Sequence, residues 1–250
     1  MAKKIGTAIV VGASSGIGAA LVRALAARGA RVAAVARRGD ELEKLAARIN
    51  AKAGDSRVLC YPHDVANAAE VPELFQRITA ELGGLDAVFF AAGLMPKVAV
   101  NEFSSAKDLE MITVNFAGAV AWLNEAATRF ERTRSGYICG IGSIAGDRGR
   151  RGNPVYGASK AGLAHYLEAL HTRLARYGVG VTTIKPGFVD TAMTKGMPGL
   201  FWVASPKQAA EAILSATLAK RREVYVLGRW RLVAFVVKNF PTFLFKYLSI

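Results

Sequence analysis

Residues 5–18 read Ile5-Gly-Thr-Ala-Ile-Val-Val-Gly12-Ala-Ser-Ser-Gly16-Ile-Gly18. A short apolar, β-branched run that stops at a glycine is the pattern of a buried parallel strand. A helical pattern follows through Leu21, Leu25 and Ala26 to Gly29. Glycines at such a strand-to-helix turn let the backbone come close to a pyrophosphate, and the free N–H groups and dipole of the helix N-terminus favour the anion. The spacing Gly-x-x-x-Gly-x-Gly differs from the commoner Gly-x-Gly-x-x-Gly.

Outward from this unit, the chain alternates strand and helix to residue 227. Strands are expected at 31–36, 57–61, 85–91, 135–142, 179–185 and 223–227, with helices at 39–53, 67–82, 106–132, from Tyr156 to about 177, and at 205–219. Seven strands in that order predict one α/β domain, a doubly wound, Rossmann-like seven-stranded parallel sheet with helices on both faces. The second strand ends at Ala36 and is followed by Arg37-Arg38, where a bare ribose wants an acid. Two arginines there suit a 2′-phosphate and so NADP(H); the plainer alternative is a solvated basic turn. Asp64, in His63-Asp64-Val65, suits an adenine amine or the cap of the next helix. Ala91-Ala92-Gly93 offers small residues where a cofactor passes close to backbone.

A second landmark is Gly142-Ser143-Ile-Ala145 followed by Val155-Tyr156-Gly-Ala-Ser-Lys160. Tyr156 and Lys160 are one helical turn apart on one face. An ammonium that close is expected to lower the phenol pKa from its usual value of about 10 and fit it for proton transfer. Asn115, in the apolar helix 106–132, must be hydrogen-bonded and so either bends that helix through a water or serves the site.

Apolar residues make up 52% of the 250-residue chain, which suits one well-buried domain. Cys60 and Cys139 fall in strands and imply a reducing compartment without a disulfide framework; scattered histidines and cysteines give no metal-ligand spacing. The first residues contain no apolar stretch of a secretory signal, so a cytoplasmic location is expected. With 33 basic against 19 acidic residues the net charge is +14, which favours anionic surfaces or substrates. The cations are dispersed and no base-reading module is present, so nucleic acid is not the expected partner.

Taken together, Gly12-x-x-x-Gly16-Ile17-Gly18, Asp64-Val65, Ala92-Gly93, Asn115, Ser143, Tyr156-x-x-x-Lys160 and Pro186-Gly187 with Thr191 resemble the short-chain dehydrogenase/reductase family over residues 4–228. The resemblance implies a ketone–alcohol oxidoreductase. In it Tyr156 is the general acid/base, and Lys160 lowers its pKa and holds the nicotinamide ribose. Ser143 stabilises charge on the substrate oxygen, and Asn115 keeps a water in the proton relay. It further implies that Ser14, Ser15 and Ile17 meet the phosphates through backbone, and that Val189 and Thr191 hold the carboxamide. The family usually has Asn where this chain has Ala91, which predicts some loss of rigidity without loss of chemistry.

Residues 229–250 form a cationic, aromatic tail after a catalytic domain of residues 1–228. Lys238, Pro241 and Lys246 interrupt it, so it does not suit a bilayer span. Three readings stay open: packing on the domain, lying peripherally on an anionic membrane such as the inner membrane surface, or forming a dimer contact. A homodimer is the expected assembly. The segment from Met193 to Trp202 reads either as a glycine-hinged apolar lid or as a hydrophobic loop packed on the last helix; Arg148, Arg150 and Arg151, in a loop that borders the substrate in this fold, are read as meeting a phosphate or carboxylate, as solvated, or as paired across an interface. The loop and tail are similar to a branch acting on keto-sugars of polyprenyl phosphates. The expected substrate is therefore a lipophilic or lipid-linked, phosphate-bearing carbonyl or alcohol compound; the alternatives are a small ketone, or a cofactor-bound regulatory protein without turnover.

Overall fold

The computed structural model describes residues 4–248; the first three residues of the segment read for a secretory signal, and Ser249 and Ile250 of the tail, lie outside the described residues. Seven strands, β1 (Thr7–Val11), β2 (Arg31–Ala36), β3 (Val58–Pro62), β4 (Ala87–Phe90), β5 (Tyr137–Ile141), β6 (Gly180–Pro186) and β7 (Glu223–Val226), form one sheet in the order β3-β2-β1-β4-β5-β6-β7. Each neighbouring pair is parallel. The expected doubly wound architecture is therefore the one observed.

Parallel strands need crossover helices, and these cover both faces. On one face lie α1 (Gly16–Ala27), α2 (Gly39–Ala53) and α7 (Pro206–Leu218), which bury Leu21, Leu25, Leu42, Leu45 and Ile213 against Val10, Ala34 and Phe89. On the other lie α3 (Val71–Leu82), α5 (Gly118–Thr133) and α6 (Pro154–Leu174), with Trp122, Leu123, Phe130, Leu163 and Leu167 against Ile9, Val88 and Ile138. Central strands apolar on both sides follow directly: β1 and β2 show no alternation because neither face meets water. Cys60 and Cys139 are both free.

The helix expected over 106–132 is broken in its hydrogen bonding. It runs as α4 (Ser105–Ile112), a π-helical turn at Thr113–Ala117 and then α5. The extra residue in that turn holds Asn115, fully buried. Beyond β7 the tail folds as α8 (Trp230–Asn239) and α9 (Thr242–Phe245). Trp230 and Ala234 bury its inner face, while Leu232, Phe235, Val236, Phe243 and Tyr247 remain exposed. None of the helices among the described residues is long and apolar enough to cross a membrane.

Candidate active site

The strand order reverses between β1 and β4, and the loops leaving the C-terminal ends of β1, β4 and β6 meet there, at the place where such sheets bind ligands. The turn after β1 is drawn tight. Gly12 has φ +87°, and a β-carbon on it would lie 2.4 Å from Ala92 N; one on Gly18 would lie 2.1 Å from Gly12 O. Ala92 is thus brought against the turn, and the neighbouring Ala91 N–H donates to Val11 O at 2.8 Å. Thr191, from the loop after β6, faces Gly16, with Cγ2 3.1 Å from where a β-carbon would stand. Ser15 caps α1 without a side-chain bond, and no acidic residue occupies the first turn that includes Ile17. A backbone cradle that any side chain would fill, at an uncharged helix N-terminus, fits a dinucleotide pyrophosphate.

The arginines after β2 divide their work. Arg38 Nη2 donates to Ser14 Oγ and to Ser15 Oγ, each at 2.9 Å, so its guanidinium lies over the glycine-rich turn. Arg37 instead pairs with Asp64 at 3.6 Å, in solvent. Asp64 also accepts from Ala66 N–H at 3.0 Å, closing its own turn. Val65 is buried beneath the first residue of α5 and serves packing.

Four side chains converge beyond β5. Ser143 follows the strand, and Ala145 N–H donates to its Oγ at 3.1 Å. Asn153, in the left-handed region at φ +48°, caps α6 by accepting from Tyr156 N–H at 3.3 Å, and Pro154 opens the first turn. That cap aims Tyr156 at the strand end, where the Ser143 hydroxyl acts on its phenol. Lys160 Nζ donates to Ile141 O at 2.9 Å. Gly93 leaves space for both Lys160 and Asn115: a β-carbon there would be 3.2 Å from Lys160 Nζ and 3.3 Å from Asn115 Oδ1. Asn115 accepts from Leu94 N–H (2.8 Å) and donates to Leu94 O (3.0 Å) and to Ser159 Oγ (3.1 Å). The π turn therefore ties the loop after β4 to the helix carrying Tyr156, with no bend through a water required.

The electrostatics differ from the expectation in one respect. Burial pushes the Tyr156 phenol above its ordinary pKa, against the opposing pull of the Ser143 hydroxyl and of the Arg150 guanidinium. Lys160 Nζ is 6.0 Å from the phenol ring centre, and burial lowers its own pKa to about 8. The cation acting on the phenol is Arg150, from the loop between Ser143 and α6.

The loop after Thr191 is closed at both ends. Thr194 Oγ1 donates to Val189 O at 2.6 Å and accepts from Thr191 N–H at 3.2 Å; Val189 bridges to Ala204, and a Ser205–Gln208 capping box starts α7. Between those ends Phe201 and Trp202 stack on Trp230 of α8, with ring centres 4.9 Å and 5.7 Å apart. Pro186 ends β6, and the side of the next residue, Gly187, on which a β-carbon would stand is packed by the tail. A β-carbon there would come within 2.1 Å of the Trp230 ring.

The sequence pattern does not reveal the cluster that fixes the tail to this site. Asp147, its side chain 1% exposed, receives Lys185 at 2.6 Å, Lys238 at 3.1 Å and the Tyr225 hydroxyl at 2.9 Å. Burial alone would raise its pKa; these three donors hold it below the usual carboxylate range. Beside it Arg148 donates to Val237 O (2.7 Å), Lys238 O (3.3 Å), Phe240 O and Thr242 Oγ1 (3.2 Å), and its guanidinium lies 4.0 Å above the Phe245 ring. Arg148 is thereby committed to the tail and not to a ligand. Of the residues that sequence reasoning missed, only Asn153-Pro154 carries a local signal, the pairing of an N-cap with proline at N1.

The short chain dehydrogenase family model matches residues 6–198. An uncharacterized oxidoreductase of Staphylococcus aureus (strain N315) is 36% identical over 210 residues, 84% of this chain and 89% of that protein. One of Myxococcus xanthus (strain DK1622) is 38% identical over 188 residues, 75% of this chain and 74% of that protein. Among solved structures, a short-chain dehydrogenase from Sphingobium yanoikuyae in complex with NADPH superposes with a TM-score of 0.80 at 25% identity, covering 92% of each chain. Levodione reductase, at 23% identity and a TM-score of 0.81 over 90% of this chain and 97% of its own, shares the fold.

Proposed function

The chain belongs to the short-chain dehydrogenase family of oxidoreductases, and from that premise we propose that it interconverts a ketone and a secondary alcohol with NADP(H), on a lipophilic, phosphate-bearing substrate. The observation that carries the reaction class is the convergence of Ser143 and Tyr156, with Lys160 one turn further on, at the edge of the glycine-lined crevice. Bound NADPH supplies the hydride. Tyr156, whose proton burial retains through neutral pH, gives that proton to the oxygen that gains charge as the carbonyl is reduced. Ser143 donates to the same oxygen and stabilises the developing charge. Lys160, as the ammonium, holds the ribose hydroxyls. Asn115 keeps Gly93, Leu94 and α6 in register, which positions the acid.

Cofactor choice rests on Arg38. A guanidinium already held over Ser14 and Ser15 offers a bidentate partner to a 2′-phosphate. The Sphingobium relative in complex with NADPH supports the same choice. The exposed Phe201 and Trp202 rings, backed by the buried Trp230, support a lipophilic substrate, of which a keto-sugar on a polyprenyl phosphate is one example. The exposed outer face of α8 and α9, in a stretch from 224 onward with four cations and no carboxylate side chain, supports peripheral contact with an anionic membrane. Val100, Phe103 and Leu109, all well exposed at α4, supply an apolar patch for a homodimer.

The test is Tyr156→Phe. NADPH oxidation with any accepted ketone should fall by roughly 10²–10⁴-fold, the usual range for losing a general acid, while NADPH binding by fluorescence titration stays intact. A Phe variant that turns over at the wild-type rate removes the assignment.

A further inference from the structure

Between the loop after Ser143 and the tail lies a cleft of about 360 Å³ lined by Gly149, Arg150, Arg151, Phe245, Lys246 and Leu248. Three of its six lining residues are cations and none is acidic. Arg150 is partly buried, yet makes no hydrogen bond or ion pair among the described residues; the charges that act on it are Tyr156 and Asp147. Asp147 cannot serve it, since both carboxylate oxygens are taken by Lys185, Lys238 and Tyr225. Burial lowers the Arg150 pKa by more than the nearby Tyr156 and Asp147 raise it, and neither makes a direct bond to the guanidinium. An uncompensated guanidinium in a recess is costly unless an anion completes it. The other side of the recess is apolar: Phe245 stacks on Arg148, and Leu248 edges the rim. Three cations together with the Phe245 and Leu248 side chains match an amphiphile with an anionic head.

We propose that this cleft is the subsite for the phosphate ester of the substrate, gripped by Arg150 and Arg151 from the catalytic loop and by Lys246 from the tail. It rests on the reading of the chain as a reductase of lipophilic substrates, and it gives the tail a part in substrate recognition.

The test uses the full-length chain saturated with NADP⁺ and dodecyl phosphate below its micellar concentration, followed by calorimetry, with dodecanol as the neutral match. Dodecyl phosphate should bind at least tenfold more tightly than dodecanol, and Arg150→Ala and Lys246→Ala should each weaken it about tenfold, as loss of a charge-assisted bond does. Lys246→Arg should retain it, with unchanged melting temperatures showing intact folds. In turnover, the preference for a ketone bearing a terminal phosphate over its hydroxyl analogue should shrink by the same factor in both alanine variants. Equal binding of the two amphiphiles, or alanine variants that bind like wild type, overturns the subsite. So does a loss confined to flotation with phosphatidylglycerol vesicles, which would assign these cations to bilayer headgroups. Expected binding with no ketone reduced by wild type upholds the anion subsite and removes the reductase reading instead.

Discussion

Replacing Arg148 by Ala should undock the tail without unfolding the sheet. The α8 C-terminus leaves its last carbonyls without helical partners, and Val237 O, Lys238 O and Phe240 O all receive Arg148 Nη1. A cation at that end also meets the negative pole of the helix. One net hydrogen bond from a charged donor contributes about 1.5–3 kcal/mol. The three carbonyls share one nitrogen and the contact borders solvent, so they count as one such bond rather than three. Stacking on Phe245 at 4.0 Å adds about 0.5–1 kcal/mol. The variant should therefore lose about 2–4 kcal/mol of tail docking, which corresponds to roughly 30- to 900-fold faster exchange from the opened state. Hydrogen exchange read by mass spectrometry should show that acceleration in residues 234–245, with β1, β4 and β5 protected as in wild type. Exchange within about threefold of wild type in the tail, or acceleration spread equally through the sheet, would refute the clasp.

Two further outcomes follow from the site. Arg38→Ala should weaken NADPH about 10- to 100-fold, the loss of a charged bond to phosphate, and NADH far less. Arg37→Ala, whose side chain is 71% exposed and paired with Asp64, should do less than either. Equal weakening of both cofactors in titrations of Arg38→Ala would remove the 2′-phosphate assignment. The pH dependence has a definite sign. Lys160 titrates near 8 in the fold against about 10.4 unfolded, so it is charged below 8 and neutral above, while the raised Tyr156 pKa keeps the acid protonated through that range. Reductive kcat/KM should be level below about pH 8 and decline above it as the ammonium is lost. Stability moves the other way: the unfolded chain holds that proton and the folded chain does not between about 8 and 10.4, so this lysine's contribution rises with pH. In thermal melts the advantage of Lys160→Met over wild type should narrow across that window; a constant difference would contradict the buried, neutral-favouring lysine.

The residues responsible for the fold act locally, and that is why they can be read from the chain. Apolar runs without alternation at 7–11, 31–36 and 137–141 announce strands buried on both faces, and Gly12, Gly16 and Gly18 announce a turn that only a missing β-carbon allows. The four-residue spacing of Tyr156 and Lys160 is enough to put them on one helix face. What spacing does not show is which charge acts on which group. Lys160 is near Tyr156 in sequence, yet its nitrogen turns to Ile141 O and the phenol answers to Arg150 and to its own burial.

The tail makes the same point over a longer span. Composition identifies residues 229–250 as aromatic and cationic and leaves its place open. Packing on the domain is what occurs on the inner face, through Trp230 against Gly187 and through Asp147 and Arg148, partners about ninety residues earlier. Nothing in the local pattern around Arg148 distinguishes it from Arg150 or Arg151; only the folded path of α8 gives one arginine a row of carbonyls and leaves another facing a cleft. Periodicity and turn chemistry are properties of neighbouring residues, so the order of amino acids alone specifies the sheet, the glycine-lined turn and the candidate quartet of Asn115, Ser143, Tyr156 and Lys160. Burial and the pairing of charges depend on what arrives from distant strands and helices. The tuning of the phenol and the seat of the tail therefore come into being only when the chain has folded.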